Sequence, residues 1–235
     1  MKRKEQVMQR VLLFDVNETL LDLAGLHESF AVHLGSEKIT TEWFNQLIQS
    51  AMLSVIVGNY SNFAEIGKAA LKMIAERQRV TLNDEIIGEI VGKMRIMPAH
   101  SDVAEGLAAL RDKKYRMAAL TNSPSQVANE QLVNAGIKEY FEKVISVEEV
   151  KTVKPDPKVY HHAAKSMGCL PSDCRLIACH SWDVAGAMSV GIRGAFIRRA
   201  GMIWNPLFTQ PDVLGDNLIE VASEIVRVDS MAYMS

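Results

Sequence analysis

The chain has 235 residues, which is enough for one large domain or for a domain with an inserted subdomain. Its hydrophobic fraction of 48% and charged fraction of 23% are typical of an ordinary globular protein. The formal net charge of -2 provides no basic surface for a nucleic acid, and no apolar run is long enough to span a bilayer. We therefore expect neither a nucleic acid nor a membrane as a partner.

The three cysteines, Cys169, Cys174 and Cys179, bear on the compartment and on metal binding. They are an odd number, and they lack the close CxxC pairs of a structural zinc site. We interpret them as free thiols, which indicates a reducing compartment and predicts a cytoplasmic location.

The first predicted strand covers residues 11–14, four apolar residues that run without interruption into Asp15. A short unbroken apolar run is typical of a strand buried on both faces of a parallel sheet. Because open parallel sheets bind ligands beyond the carboxyl ends of their strands, Asp15 would stand in that position. It has two interpretations: a nucleophile that forms a covalent ester or acyl phosphate, or a cap of the following helix.

The part of the chain after this strand is helical in pattern. Apolar residues recur with the spacing of amphipathic helices over residues 41–57, 63–74 and 83–94. No strand pattern interrupts them. We therefore predict a helical cap subdomain, residues 21–96, that is inserted directly after the first strand.

Beyond the helical block, predicted strands and helices alternate. Such alternation predicts right-handed βαβ units and a doubly wound parallel α/β core, built from residues 1–20 and 97–235. One helix of this core has a clear start signal, with Ser123 as the expected N-cap and Pro124 as the first helical residue. The further predicted strands cover residues 116–120, 143–147, 175–179, 194–197 and 213–214.

Four polar clusters follow predicted strands, so they would meet at one edge of the sheet. Together they provide a carboxylate, hydroxyl and amide donors, a lysine and a second carboxylate. A lysine next to Asp15 would keep its carboxylate ionised and stabilise charge during a displacement. The combination indicates a catalytic site rather than separate helix caps. The clusters are residues 15–19, 121–123, 153–155 and 180–183.

This ordered set resembles the haloacid dehalogenase superfamily over nearly the whole chain, and the helical block is similar to the inserted cap of that superfamily. Most members are magnesium-dependent phosphatases, but two positions differ from theirs. Asn17 stands where they have an acid/base Asp, and Cys179 stands where they have a metal-binding Asp. An amide cannot carry the proton, and a thiol is a poor ligand for Mg²⁺. Both differences disfavour phosphoryl transfer.

The same differences lead to the type II L-2-haloacid dehalogenases, a family within this superfamily that needs no metal cofactor. Its motifs look like DxYGT, SN, KP followed by a Tyr, and SNxWD. Homodimerisation through the cap would fit this resemblance. The matching positions in this chain are Asp15, Thr19, Asn122, Lys154, Tyr160, Trp182 and Asp183, and Thr121 stands at the family's Ser.

The resemblance implies that Asp15 attacks the C2 carbon of a short 2-haloacid, displaces the halide and inverts the centre. Water then cleaves the aspartyl ester at its own carbonyl carbon. Lys154 is expected to hold Asp15 ionised, and Asp183 to orient Lys154 or the hydrolytic water. The other expected site residues are hydrogen-bond donors to the carboxylates, Thr19, Thr121 and Asn122, and residues that contact the substrate, Asn17, Phe44, Phe63, Tyr160 and Trp182.

Several positions depart from the dehalogenase pattern. The family places a halide-binding Arg directly after a Trp on the first long cap helix, and here Trp43 is followed by Phe44. The motif Tyr is Asn17, and the fourth-motif Asn is His180. Phe44 would offer only the positive edge of its ring to a halide, which is weaker than a guanidinium. The pattern therefore favours the hydrolytic half of the reaction over the dehalogenating half.

Alternatives remain open for one residue and for the whole chain. His180 is either a hydrogen-bonded loop residue or the general base of ester hydrolysis, since histidine titrates near neutral pH. One alternative function is a small-molecule phosphatase whose Mg²⁺ is held by Asp15 and Asp183. The other is a binding or regulatory protein that has kept the fold and lost turnover, and the missing halide-binding Arg is its best support.

Overall fold

The computed structural model of the chain describes residues 10–231 and contains a six-stranded parallel sheet surrounded by helices. The strand order is β3-β2-β1-β4-β5-β6, so the chain builds outward from β1 first in one direction and then in the other. This is the doubly wound arrangement, and it confirms the predicted fold class. The strands are β1 (Val11–Phe14), β2 (Arg116–Thr121), β3 (Lys143–Ser146), β4 (Cys174–Ala178), β5 (Arg193–Ile197) and β6 (Val213–Gly215).

Strand β1 is the centre of the sheet and of the hydrophobic core. All four of its residues are buried, and it pairs with β2 on one side and β4 on the other. In this register Phe14 lies beside Ala119 and Ile177, so the strand that ends in Asp15 is held from both sides. An apolar residue at every position is what a strand buried on both faces requires.

The helices divide into two groups along the chain. Within residues 10–231, five α-helices lie after residue 97, and four lie between β1 and residue 97. The first group is α5 (Val103–Asp112), α6 (Ser125–Asn134), α7 (Pro157–Ser166), α8 (Ser181–Ser189) and α9 (Leu218–Met231). The second group is α1 (His27–Leu34), α2 (Ile39–Ile56), α3 (Phe63–Arg77) and α4 (Asp84–Gly92).

The second group forms a helical insertion with a packed interior of its own. Trp43 of α2 is fully buried and donates a hydrogen bond from Nε1 to the carbonyl of Gly67 in α3, at 2.9 Å. The entry and exit of the insertion lie side by side, since Leu21 forms an antiparallel bridge with Ala99. We propose that this insertion is the cap, with the predicted bounds 21–96.

The start of α6 differs from the prediction. The helix begins at Ser125 with Pro124 as its N-cap, so the prediction of Ser123 as N-cap was wrong. The Ser123 hydroxyl is used elsewhere, because it accepts a hydrogen bond from Asn17 Nδ2 at 3.2 Å. A tertiary contact thus replaces the local cap that the sequence pattern favoured.

Two further expectations concern membranes and thiols. Among residues 10–231, no helix combines the length and the apolar composition needed to cross a membrane. Cys169, Cys174 and Cys179 are all free, as predicted.

Gly186 of α8 provides a test of the packing beneath the sheet edge. A Cβ at this position would lie 2.5 Å from Pro155 Cβ and 2.8 Å from Tyr160 Oη. We expect Gly186→Ala to lower the free energy of unfolding by about 1–3 kcal/mol, because overpacking forces neighbouring groups apart. Gly88→Ala in α4, where nothing lies within 4 Å of the added Cβ, should instead raise stability by about 0.5–1 kcal/mol. Urea denaturation of both variants checks this, and equal effects would contradict it.

Candidate active site

The carboxyl edge of the sheet brings together residues that are far apart in the chain. Asp15 directly follows β1, Asn122 follows β2, and Asp183 lies in the first turn of α8 after β4. Lys154 comes from the loop between β3 and α7. Because β2, β1 and β4 are neighbours in the sheet, their ends place these side chains around one point.

Lys154 is the centre of this group. Its ammonium Nζ lies 2.6 Å from Asp15 Oδ1, 2.6 Å from Asp183 Oδ2 and 3.1 Å from the Leu120 carbonyl. The side chain is 1% exposed, so all three donors are satisfied within the protein. Burial lowers the pKa of Lys154, but the two carboxylates raise that pKa more, and the net pKa lies above its ordinary value. Lys154 is therefore a permanent buried cation.

Asp15 is held as a carboxylate. Its second oxygen, Oδ2, accepts a hydrogen bond from Thr19 Oγ1 at 2.5 Å and lies 3.2 Å from His180 Nδ1. Burial raises the pKa of Asp15, whereas Lys154 and His180 lower it more, and the net pKa lies well below the usual range. Thr19 thus makes the hydrogen bond to a carboxylate that was expected of it.

Asp183 is fixed from two sides and does not face solvent. Its Oδ2 bonds Lys154, and its Oδ1 accepts a 2.7 Å hydrogen bond from the Tyr160 hydroxyl. We expected Tyr160 to contact the substrate, but its side chain is fully buried under Asp183 and serves to position that carboxylate. Burial and the Asp183 charge raise the pKa of Tyr160 well above 10, so the phenol keeps its proton and remains a donor.

The side chains at the end of β2 shape the neighbouring loops through their oxygens. Asn122 Oδ1 accepts a hydrogen bond from the backbone N–H of Lys154 at 3.0 Å, which places the lysine. Thr121 Oγ1 accepts from the backbone N–H of Ser123 at 3.1 Å. Both residues were expected to donate to the carboxylates, and the structure gives their oxygens these backbone partners.

Asn17 links the site to the helical insertion. Its Oδ1 accepts a 3.0 Å hydrogen bond from Gln131 Nε2 of α6, and its Nδ2 donates to Ser123. Gln131 Nε2 also donates to the carbonyl of Met94, near the end of the insertion, at 2.9 Å. Asn17 was expected to contact the substrate, and both ends of its amide are bonded to the protein.

Glu18 is a site residue that the sequence analysis missed. His180 Nε2 lies 2.9 Å from Glu18 Oε2, while Nδ1 of the same ring faces Asp15. Burial lowers the pKa of His180, but Cys179, Asp15 and Glu18 raise it more, so the net pKa lies well above 6.5, which favours the imidazolium form of the ring. The sequence signal that could have identified Glu18 is its position, because Glu18 stands where the DxYGT motif has Gly.

The aromatic residues expected around the substrate lie in two clefts. Phe44 and Trp182 line a cleft of about 530 Å³ together with Glu18 and His180. The His180 ring stacks on both aromatic rings, with centroid distances of 6.2 Å to Phe44 and 5.1 Å to Trp182. Phe63 lines a separate cleft of about 380 Å³ that reaches Ser123. Phe63 and Trp182 therefore line different clefts.

Three potential metal ligands come together within residues 10–231: ligand atoms of Asp15, Cys179 and His180 lie within 4.8 Å of one another. This set does not fit Mg²⁺, which prefers oxygen ligands, because it offers one carboxylate, one thiol and one imidazole. The Lys154 ammonium already bonds the other oxygen of Asp15, and a protonated His180 has no lone pair to give.

Comparison with known proteins supports a family assignment. The model of the haloacid dehalogenase-like hydrolases matches residues 9–187, more than half of the chain. One relative, (S)-2-haloacid dehalogenase 1 of Pseudomonas sp. (strain CBS-3), is 25% identical over 192 residues, which cover 81% of this chain and 85% of the relative.

Two solved structures of one enzyme have the same fold. The L-2-haloacid dehalogenase from Xanthobacter autotrophicus gives a TM-score of 0.87 at 22% identity, covering 94% of this chain and 99% of that one. Its structure with chloropropionic acid covalently bound gives 0.87 at 21% identity, with the same coverage. The family model confirms the resemblance found in the sequence, and the chain therefore belongs to the haloacid dehalogenase-like hydrolase family.

Proposed function

We propose that this protein is a metal-independent 2-haloacid dehalogenase that works through an ester on Asp15. The observation that carries the proposal is the buried Asp15 carboxylate, held ionised by the Lys154 ammonium at 2.6 Å. A nucleophile of this kind needs no added base and no metal to be reactive. The names of the relatives support the substrate class, and the covalently bound chloropropionic acid in one of them supports a covalent intermediate.

The first step is a displacement at carbon. An Asp15 oxygen forms a bond to C2 of the haloacid while the carbon–halogen bond breaks, and the electron pair leaves with the halide. Lys154 keeps Asp15 ionised until that bond forms, and Asp183 holds Lys154 in place. The cleft lined by Phe44 and Trp182 opens beside His180, whose Nδ1 faces Asp15, and accommodates a small carboxylate with an apolar substituent.

The second step is hydrolysis of the ester. Water attacks the Asp15 carbonyl carbon, which returns the carboxylate and releases a 2-hydroxyacid. We assign the general base to His180, because its Nδ1 is the titratable nitrogen that faces Asp15.

The two rival functions have weaker support. A phosphatase would need Mg²⁺, and the ligand set around Asp15 does not fit this ion. A binding protein without turnover would not require a buried cation shared by two carboxylates, which is costly to maintain unless it serves the reaction. Phe44 in place of the halide-binding Arg remains the main argument for the second rival.

Two predictions from the sequence become part of the proposal. We place the enzyme in the cytoplasm, which the free thiols support. We also expect a homodimer formed through the helical insertion, and size-exclusion chromatography with light scattering tests this.

Halide release tests the proposed reaction. The wild type should release halide from L-2-chloropropionate or chloroacetate in the presence of EDTA, and Asp15→Asn should lower the rate at least about a thousandfold, because the nucleophile is lost. The D enantiomer defines the stereospecificity. An unchanged rate in Asp15→Asn would contradict the role of Asp15. Phosphate release from phosphoesters only with Mg²⁺, without halide release, would favour a phosphatase.

The charge of His180 makes a separate prediction about stability. Its folded pKa lies above the ordinary value of 6.5, so its contribution to stability is fully present below about pH 6.5 and is lost as the pH rises through the folded pKa. The stability difference between the wild type and His180→Gln should therefore shrink with rising pH. Urea denaturation from pH 6 to 10 measures it, with His161→Gln on the exposed face of α7 as the control. A difference that grows with pH would contradict the imidazolium.

A further inference from the structure

Glu18 has an unusual backbone for its residue type. Its φ is 63°, in the left-handed region that favours glycine, and the related motif has Gly at this position. A side chain persists in such a conformation when the surrounding structure requires it. Here the carboxylate is only 13% exposed and is directed at His180.

The contacts of His180 leave Nδ1 as the ring nitrogen that can accept a proton from water. Glu18 Oε2 bonds Nε2 at 2.9 Å, and Nδ1 lies 3.2 Å from Asp15 Oδ2. Stacking on Phe44 and Trp182 restricts the rotation of the ring. A proton fixed on Nε2 by Glu18 means that, when the ring is neutral, its lone pair is on Nδ1 and faces Asp15.

We propose that Glu18 is a positioning residue that makes His180 the general base for hydrolysis of the Asp15 ester. This inference rests on the proposed function. It also assigns the His180 cation a role other than halide binding, because both ring nitrogens already face carboxylates.

Esterification switches the state of His180. In the resting enzyme the groups facing the ring are the Asp15 and Glu18 carboxylates and the Cys179 thiol, whose sulfur lies 3.8 Å from Nδ1. The ester on Asp15 is neutral, so the negative charge of Asp15 no longer favours the imidazolium. Its Nδ1 proton then passes to solvent through the cleft that His180 lines.

The proton balance of the cycle closes. Alkylation forms the Asp15 oxygen–C2 bond and releases halide, and His180 releases one proton. Water then attacks the ester carbonyl carbon. One of its protons ends on the hydroxyl of the product and the other on His180, which restores the imidazolium beside the Asp15 carboxylate. The sum is one haloacid and one water converted to one 2-hydroxyacid, one halide and one proton.

Rapid mixing with L-2-chloropropionate tests this assignment, using halide release, 2-hydroxypropionate release and intact mass. Glu18→Gln should keep the initial halide burst at the wild-type rate and slow 2-hydroxypropionate release by about tenfold or more, so that the ester adduct accumulates. The pH profile of the slow step should move to lower pH, because the carboxylate that favours the imidazolium is lost. Glu18→Gly, which relieves the backbone, should accumulate the same adduct, and Glu76→Gln on the exposed face of α3 should not.

The outcomes distinguish a failure of the role of Glu18 from a failure of the proposed function. In Glu18→Gln, the halide burst and the rate of 2-hydroxypropionate release could fall together, or both could stay unchanged. Either result would overturn the role of Glu18 and leave the proposed function intact. A wild type that releases no halide would overturn the proposed function and this inference together.

Discussion

The buried ammonium of Lys154 is the interaction on which the site depends. It lies 2.6 Å from one oxygen of Asp15 and 2.6 Å from one oxygen of Asp183, and each of these carboxylates would be unstable in the interior without it. Breaking such a buried pair typically costs about 3–5 kcal/mol, because a charge is left without compensation. Nucleophile, cation and second carboxylate are therefore one unit, and the fold must deliver all three together.

The doubly wound sheet places these groups close together because the strand order reverses at β1. Asp15 ends the central strand, and the two neighbouring strands lead to Asn122 and Asp183 on either side. The second pair, Glu18 and His180, is attached to the other oxygen of Asp15. Each oxygen of the nucleophile thus has its own cationic partner, Lys154 at Oδ1 and His180 at Oδ2. We assign Lys154 to the displacement step and His180 to the hydrolysis step.

Apolar patterning was sufficient for the fold, because strands buried on both faces leave unbroken apolar runs such as residues 11–14. The meeting of Asp15 with Lys154 and Asp183 was also predictable, since all follow strands of one parallel sheet. Side-chain direction was not. Tyr160 points under Asp183, and the Ser123 hydroxyl bonds Asn17, because contacts distant in sequence override the local pattern. The pairing of Glu18 with His180 needed the structure, because the sheet topology places both residues near one edge but does not give the directions of their side chains.

The central claim is an ester on Asp15 that water cleaves at the aspartyl carbonyl. A single turnover in H₂¹⁸O, with enzyme in excess over L-2-chloropropionate, tests it most directly. The account predicts ¹⁸O in the Asp15 carboxylate, found by mass spectrometry of the peptide that contains it, and unlabelled oxygen in the 2-hydroxypropionate. Label in the product with none in Asp15 would mean that water attacks the substrate directly, and would contradict the account.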